Sequence, residues 1–428
     1  MNKLKTTNKR NRSELVSSKK LEMDAMTVQD ELANESQPAD SGNGSAAEVG
    51  RIFLDANSTT RPYPEVIETV AHHLRFAYAN PGSRHAEGRK ARRVFEESRE
   101  KIADLLGASP SEVIFTSGGT EASNMAIFGF ASSVSEAIAL TAGEHPATIE
   151  SCQALVQRGW KLVNMEVDSE GRLLQDQFAD LPWDQLKLVT LILAHNETGV
   201  IQDTDALAQH CVRRGIPLHI DAVQAVGKIP INFHELHATS LSLGAHKFHG
   251  PRGIGALLLR DGVKLAPLQY GGHQESGRRP GTEMVALAAG MARALEICHD
   301  DMNSRITTLQ LMRDELEQRL QATCEPTVIN SPAEHRLPNT LNISFPGVDG
   351  EAMLVALDLE GIACSLGSTC SSGSAEPAPV LMAMGRPEEV YKSAVRFTLS
   401  SDNRPEEIPI AAQRIAAVVK RLRDLASS

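Results

Sequence analysis

The sequence has few cysteines and no close pair of them. Six occur in 428 residues: Cys152, Cys211, Cys298, Cys324, Cys364 and Cys370. No C-x-x-C spacing is present, which excludes the common zinc frameworks and argues against a disulfide scaffold. A chain this long with so few, scattered thiols belongs in a reducing compartment, and the expected location is the cytoplasm. There is no apolar run of roughly 18 residues, the length needed to span a bilayer. The basic start, Met1 to Lys20, is not followed by an apolar stretch, so a secretory signal is not expected. A surplus of positive charge is also missing. The net charge of −11 excludes a general nucleic-acid or acidic-membrane binder.

The first 50 residues lack aromatics altogether; Phe53 is the first. Residues 1–22 carry seven Lys/Arg against Glu14 and Glu22, whereas residues 23–50 carry six Asp/Glu and no Lys/Arg. Such a segment buries too little apolar surface to offset its ordering entropy, and 1–50 is expected to be a disordered extension. It reads either as a dispensable tail, with Met23 and Met26 as alternative starts, or as a docking or regulatory tail.

From Arg51 onward the pattern is globular. The hydrophobic fraction of 41% suffices for a large core and more than one domain. Short apolar runs at Val113–Thr116, Leu188–Leu193, Pro217–Ile220 and Ile254–Leu259 read as strands. Charged, helix-favouring stretches such as Arg89–Leu106 and Asp205–Arg214 lie between them. This alternation predicts an α/β fold, with a parallel or mixed sheet covered on both faces. After about residue 300 the pattern changes. A long amphipathic helix is expected over Met302–Ala322, strands at Thr340–Phe345 and Val395–Leu399, and a closing helix near Pro409–Leu425. A smaller α+β unit fits this. No internal repeat is visible.

Three local patterns carry chemistry. The first is Gly244-Ala245-His246-Lys247 with Gly250-Pro251 behind it: a lysine just after a predicted strand. Most lone lysines are solvated charges, but a desolvated amine is a nucleophile that bonds to carbonyl cofactors. The second is Asp221 in His219-Ile220-Asp221-Ala222-Val223-Gln224, at the carboxyl end of a strand, where α/β sheets bind ligands. Asp221 is either the partner of a pyridinium nitrogen or a cap on the next helix. The third is Thr116-Ser117-Gly118-Gly119-Thr120-Glu121, a strand, glycine turn and helix start. Its backbone N–H groups suit a phosphate, although such a turn is often only structural. The Gly-Lys-Ser/Thr of a P-loop is absent.

These three elements, in this order, resemble the fold-type I pyridoxal-phosphate enzymes. The details are similar to the class V aminotransferase group, and within it to the cysteine desulfurases of the NifS/IscS type. Other matching segments are Leu54–Thr60, Asn80–His85, Gly143-Glu144-His145, His195-Asn196-Glu197-Thr198-Gly199, Arg279-Pro280-Gly281-Thr282, Gly367-Ser368-Thr369-Cys370 and Val395-Arg396-Phe397. The resemblance covers nearly all of 51–425. The implied architecture is a large domain over 61–300 with a mostly parallel seven-stranded sheet. A smaller domain would comprise 51–60 and 301–428.

The resemblance implies roles for individual residues. Lys247 would carry pyridoxal 5'-phosphate covalently and move the substrate's α-proton. Asp221 would pair with the ring nitrogen and Gln224 with the phenolic oxygen, with Asn196 near that oxygen and the substrate carboxylate. His145 would stack on the ring and could assist proton transfer. Gly119, Thr120 and His246 would bind the phosphate, with Thr282 reaching in from a partner subunit, so a homodimer is implied. Arg396 would grip the substrate carboxylate. Cys370, in a loop rich in Gly and Ser, would take the substrate sulfur as a persulfide, because a thiolate is the competent nucleophile. Cys364 reads as buried packing. The implied reaction converts L-cysteine to L-alanine and passes sulfur to an acceptor or scaffold protein. The long loop through Pro377 and Leu381 is similar to desulfurases that feed iron–sulfur cluster assembly. Alternatives are a selenocysteine lyase or another class V activity, and a catalytically weak regulatory paralogue. One position departs from the family pattern: Gly244 stands where a phosphate-binding hydroxyl, most often Ser, is usual.

Overall fold

The structure is a computed structural model in which residues 50–131, 136–366 and 378–427 are described. The extension expected over 1–50 lies outside these residues except for Gly50, and so do Cys370 and its loop.

Among the described residues there are twelve strands: β1 (Ile52–Phe53), β2 (Val113–Thr116), β3 (Ala137–Thr141), β4 (Lys161–Met165), β5 (Leu186–Ile192), β6 (Leu218–Asp221), β7 (Ser240–Gly244), β8 (Gly255–Leu259), β9 (Val328–Ile329), β10 (Thr340–Ser344), β11 (Ile362–Ala363) and β12 (Ala394–Thr398). Seven of them form one sheet in the order β2-β8-β7-β6-β5-β3-β4. The pairs from β7 to β4 are parallel, whereas β8 runs antiparallel to both β7 and β2. Because β8 is flanked by two antiparallel neighbours, β2 points the same way as β7. The carboxyl ends of all six strands other than β8 therefore open onto one edge.

The inner strands are buried on both faces, which explains their continuous apolar runs. Every residue of β3, β6, β7 and β8 is buried. Helices cover them. The helix Ala86–Leu105 starts at His85, whose side chain accepts from the Gly88 N–H. It buries Ala91, Phe95, Ile102 and Ala103 at helical spacing. The main core gathers Phe95, Phe115, Val189, Leu218, Leu241 and Phe248.

A second core lies around the antiparallel sheet β12-β10-β9 and the parallel pair β1-β11. Ile52, Leu54, Leu316, Ile343, Phe397 and Ile415 meet there. Each fully buried aliphatic side chain contributes about 1.5–3 kcal/mol. The helices Met302–Thr323 and Glu407–Ala426 pack on each other over this core. Val113–Thr116 and Asp205–Arg214 coincide with the sequence expectations, and the other strand and helix limits differ by at most three residues, because end residues are decided by pairing and not by composition. No helix of the described residues is long and apolar enough to cross a membrane.

Candidate active site

Five strand ends build a single cavity of about 210 Å³, lined among others by Gly119, Thr120, His145, Asn196, Asp221, Gln224, His246 and Lys247. Each residue arrives from a known point. Gly119 and Thr120 follow β2, His145 follows β3, Asn196 follows β5, Asp221 ends β6, and His246 and Lys247 follow β7. Register aligns these ends: Asp221 pairs with Ile192 on one side and Ser242 on the other. This is the carboxyl edge of the sheet, where ligands bind in open α/β folds.

Gly119 opens the helix Gly119–Phe130, whose N–H groups face this edge. A Cβ on Gly119 would lie 2.5 Å from Val223 Cγ2, so any side chain there would have to displace the Val223 methyl or the helix start. The first-turn carboxylate of Glu121 does not fill the cradle. It is held by Arg279 (2.8 Å) and by the Ser117 N–H (2.6 Å).

Lys247 is half-buried, and its Nζ donates to the backbone carbonyls of Asn57 (2.7 Å) and Ser58 (2.8 Å). Burial pushes its amine down to about 8, and the nearby Arg396 guanidinium adds to this. Asp221 is buried, and its Oδ1 accepts from the Val223 N–H at 2.9 Å. Turns and no helix follow it, so the helix-cap reading does not hold. Burial raises its pKa, while His145, the Val223 N–H and Lys247 counteract the rise. His145 Nδ1 accepts from the Ala147 N–H at 3.1 Å, which leaves Nε2 as the protonated nitrogen of a neutral ring. Burial lowers its pKa. His246 is pushed down to about 4 by burial and then by Lys247, and its Nδ1 lies 3.2 Å from the Thr59 hydroxyl.

Several neighbours were not singled out from the sequence. Asn57 is buried in the segment 55–60 that wraps the Lys247 turn, and its carbonyl accepts from both Lys247 and Gln224. Its amide nitrogen donates to the Asn196 carbonyl and the Thr340 hydroxyl, both at 3.0 Å. His195 Nε2 lies 2.5 Å from the Gly143 carbonyl and its Nδ1 accepts from the Glu197 N–H, so it braces the turn before His145. Glu144, fully buried, is raised well above the carboxylate range by burial and by Asp221.

Arg396 lies beside the cavity without lining it. Its guanidinium contacts the Asn196 carbonyl (3.2 Å) and pairs with Asp55 and Glu197, both at 2.9 Å. Thr282 does not line this cavity either. It is exposed and borders a second, largely apolar cavity with Leu74, Ala77, Tyr78 and Met284. Cys364 is half-buried against the second core, and burial pushes its thiol up to about 12. A Cβ placed on Gly244 would meet the Gly119 nitrogen at 3.4 Å, an ordinary contact, and the backbone there is extended.

Residues 52–410 match the aminotransferase class-V family. A cysteine desulfurase of Enterobacter agglomerans is 43% identical over 377 residues, 87% of this chain and 94% of that protein. The cysteine desulfurase IscS of Dictyoglomus turgidum is 39% identical over 377 residues, 87% of this chain and 96% of that protein. A solved structure described as a NifS-like protein superposes with a TM-score of 0.82 at 34% identity, covering 87% of this chain and 100% of that one. The chain belongs to the aminotransferase class-V family, within its NifS/IscS-like cysteine desulfurase branch.

Proposed function

We propose that the protein is a pyridoxal-phosphate-dependent cysteine desulfurase, converting L-cysteine to L-alanine and taking the sulfur as a persulfide on Cys370. The observation that carries this is the convergence of Lys247, Asp221, Gln224, His145 and the Gly119–Thr120 helix start on one cavity.

The donor set fits the cofactor by its chemistry. Lys247 is the amine for the aldehyde, Asp221 the buried carboxylate for a protonated ring nitrogen, and Gln224 the amide for the ring oxygen. The helix start at Gly119, with Thr120 and His246, suits the phosphate. When bound, pyridoxal phosphate supplies an electron sink that makes the substrate's α-proton removable. The chain's residues do the remainder. The Lys247 amine, lowered to about 8, takes up and returns a proton near neutrality. Neutral His145, with Nε2 protonated, offers a donor to the same space. Arg396 is held in place by Asp55 and Glu197, and its guanidinium suits the substrate carboxylate, which would join or displace one of these partners.

Sulfur transfer requires Cys370 as a thiolate. Its Sγ attacks the substrate sulfur, an S–S bond forms and the Cβ–S bond breaks. The electron pair goes to Cβ, which gains a proton and leaves as alanine. A thiol acceptor then collects the sulfane sulfur. Thr282, which does not line its own chain's Lys247 cavity and borders the cavity with exposed Leu74 (64%) and Tyr78 (72%), supports a homodimer in which it serves the partner's phosphate. The separate second core supports a smaller lobe of 51–60 and 301–428 beside a large lobe of 61–300. The proposed recipient of the sulfur is an acceptor or scaffold protein of iron–sulfur cluster or thio-cofactor biosynthesis, and the cytoplasm is the proposed location.

The test compares wild type with Cys370→Ala, supplied with L-cysteine and a reductant. The variant should still change the cofactor absorbance on adding cysteine, yet release less than about one hundredth of the wild-type alanine and sulfide, since the missing thiol is an obligatory covalent participant. Turnover near the wild-type rate would favour a lyase.

A further inference from the structure

Lys228 is a buried lysine with no carboxylate partner. It is 8% exposed and forms no ion pair among the described residues. Its Nζ donates to two side-chain amides, Gln224 Oε1 at 2.5 Å and Asn57 Oδ1 at 2.7 Å. In the sequence it stands in Val226-Gly227-Lys228-Ile229-Pro230 and reads as an ordinary surface charge. Burying an amine among neutral groups is costly, and here burial lowers its pKa well below the lysine range, aided by nearby Lys247 and Arg396 and opposed by the Cys298 thiol. A group kept at that cost has a use.

In both contacts the Lys228 Nζ is the donor, whereas an amide both donates and accepts. A lysine against an amide therefore decides which end of the amide faces it. Gln224 must turn its oxygen to Lys228, so its NH2 faces the other way. One N–H of that NH2 goes to the Asn57 carbonyl at 2.8 Å, and Gln224 lines the cavity. The second N–H is the donor left for a ligand. Asn57 obeys the same logic. Its oxygen takes Lys228 and Asn339 (3.1 Å), and its nitrogen donates to the Asn196 carbonyl and the Thr340 hydroxyl. Its backbone carbonyl, so anchored, receives Lys247 and Gln224.

We propose that Lys228 is a positioning residue of the cofactor site: by fixing the direction of the Gln224 amide, it makes Gln224 a hydrogen-bond donor to an anionic ring oxygen, while the Asn57 amide is also held by Asn339. The inference rests on the reading of this cavity as the pyridoxal-phosphate site and adds a residue to it. Lys228 acts through Gln224, so its effect must disappear when Gln224 is gone. A lysine that merely fills space would act independently.

The experiment is a double-mutant cycle of Lys228→Met and Gln224→Ala in the full chain loaded with pyridoxal 5'-phosphate. Two quantities are read besides activity: the pH midpoint of the visible absorbance change, and the cofactor Kd. Each single substitution should raise the midpoint and weaken cofactor binding by about ten-fold or more, the effect of losing a hydrogen bond to a charged group. The double variant should match Gln224→Ala alone. Lys228→Gln, which keeps an N–H donor without the charge, should lie nearer the wild type than Lys228→Met. If Lys228→Met does not fold, Lys228→Gln enters the same cycle, and its shift must vanish in the Gln224→Ala background. Additive shifts in a wild type that binds cofactor would overturn the inference alone. A wild type that binds no cofactor would overturn the cofactor reading and this inference with it.

Discussion

At the residue scale, the decisive groups are those whose charge the fold has altered. Lys247 is the clearest. Its amine is lowered from 10.5 to about 8 because burial and Arg396 disfavour the cation. The free amine is the nucleophile, so the neutral fraction governs capture of an aldehyde. That fraction grows as pH rises through the folded pKa and saturates above it. Uptake of pyridoxal phosphate by the apoprotein should therefore accelerate from pH 6 upward and level off above about 8. A rate still climbing beyond pH 10, as for a solvated lysine, would contradict the assigned environment. Gly244 makes a second residue-scale prediction. Its extended backbone accepts a side chain, and the Cβ would stand in ordinary contact, 3.4 Å from the nitrogen of Gly119 in the phosphate cradle. Gly244→Ser should hold the cofactor about ten-fold more tightly or better, through one added hydrogen bond to a charged group. Equal retention during dialysis against a cofactor scavenger would mean that another donor already serves the phosphate.

What the sequence revealed at this scale depended on position along a strand. Lys247, Asp221 and Gly119 follow or end apolar runs, so their place at the sheet edge was readable. Asn57 and Lys228 were not. An asparagine in a polar segment and a lysine before Ile229 and Pro230 look solvated until the long-range fold closes over them. Arg99 shows the same effect. It lies in a highly charged helix, yet is 8% exposed, bonded by two nitrogens to Glu275 and set against Phe95 and Phe115.

At the element scale, alternation of strand and helix carried most of the fold. It located β2, β5, β6, β7, β8, β10 and β12 and the helices between them, because apolar runs of strand length mark buried strands. Direction is not written in composition, so the antiparallel course of β8 emerged only from pairing. β4 was unmarked, since Lys161–Met165 is exposed or half-buried along most of its length. The helix Gly119–Phe130 is the element on which phosphate binding rests, and it packs through Gly119 against Val223. Gly119→Ala places a methyl group 2.5 Å from Val223 Cγ2. Relieving that contact should displace the helix start, cost the apoprotein about 1–3 kcal/mol and weaken cofactor retention. Denaturant unfolding and cofactor titration of the variant measure both. Unchanged values in the two assays would show that the turn has slack.

At the scale of the whole molecule, two apolar cores flank the cavity and the segment 55–60 links them. Ile52 and Leu54 belong to the second core, while Asn57, Ser58 and Thr60 hold the Lys247 turn. The site is thus assembled from segments almost 350 residues apart, Asp55 to Arg396 being 341. Local patterns cannot display that assembly. Family resemblance supplied it because the motifs recur in a fixed order along nearly all of 51–425. The central claim is that sulfur leaves cysteine onto Cys370. Its most direct test is a single turnover with L-cysteine and no reductant, followed by intact-peptide mass spectrometry. The account predicts one alanine per active site and one added sulfur atom on the peptide containing Cys370. Alanine formed with no sulfur on that peptide, or with the sulfur on another cysteine, would contradict it.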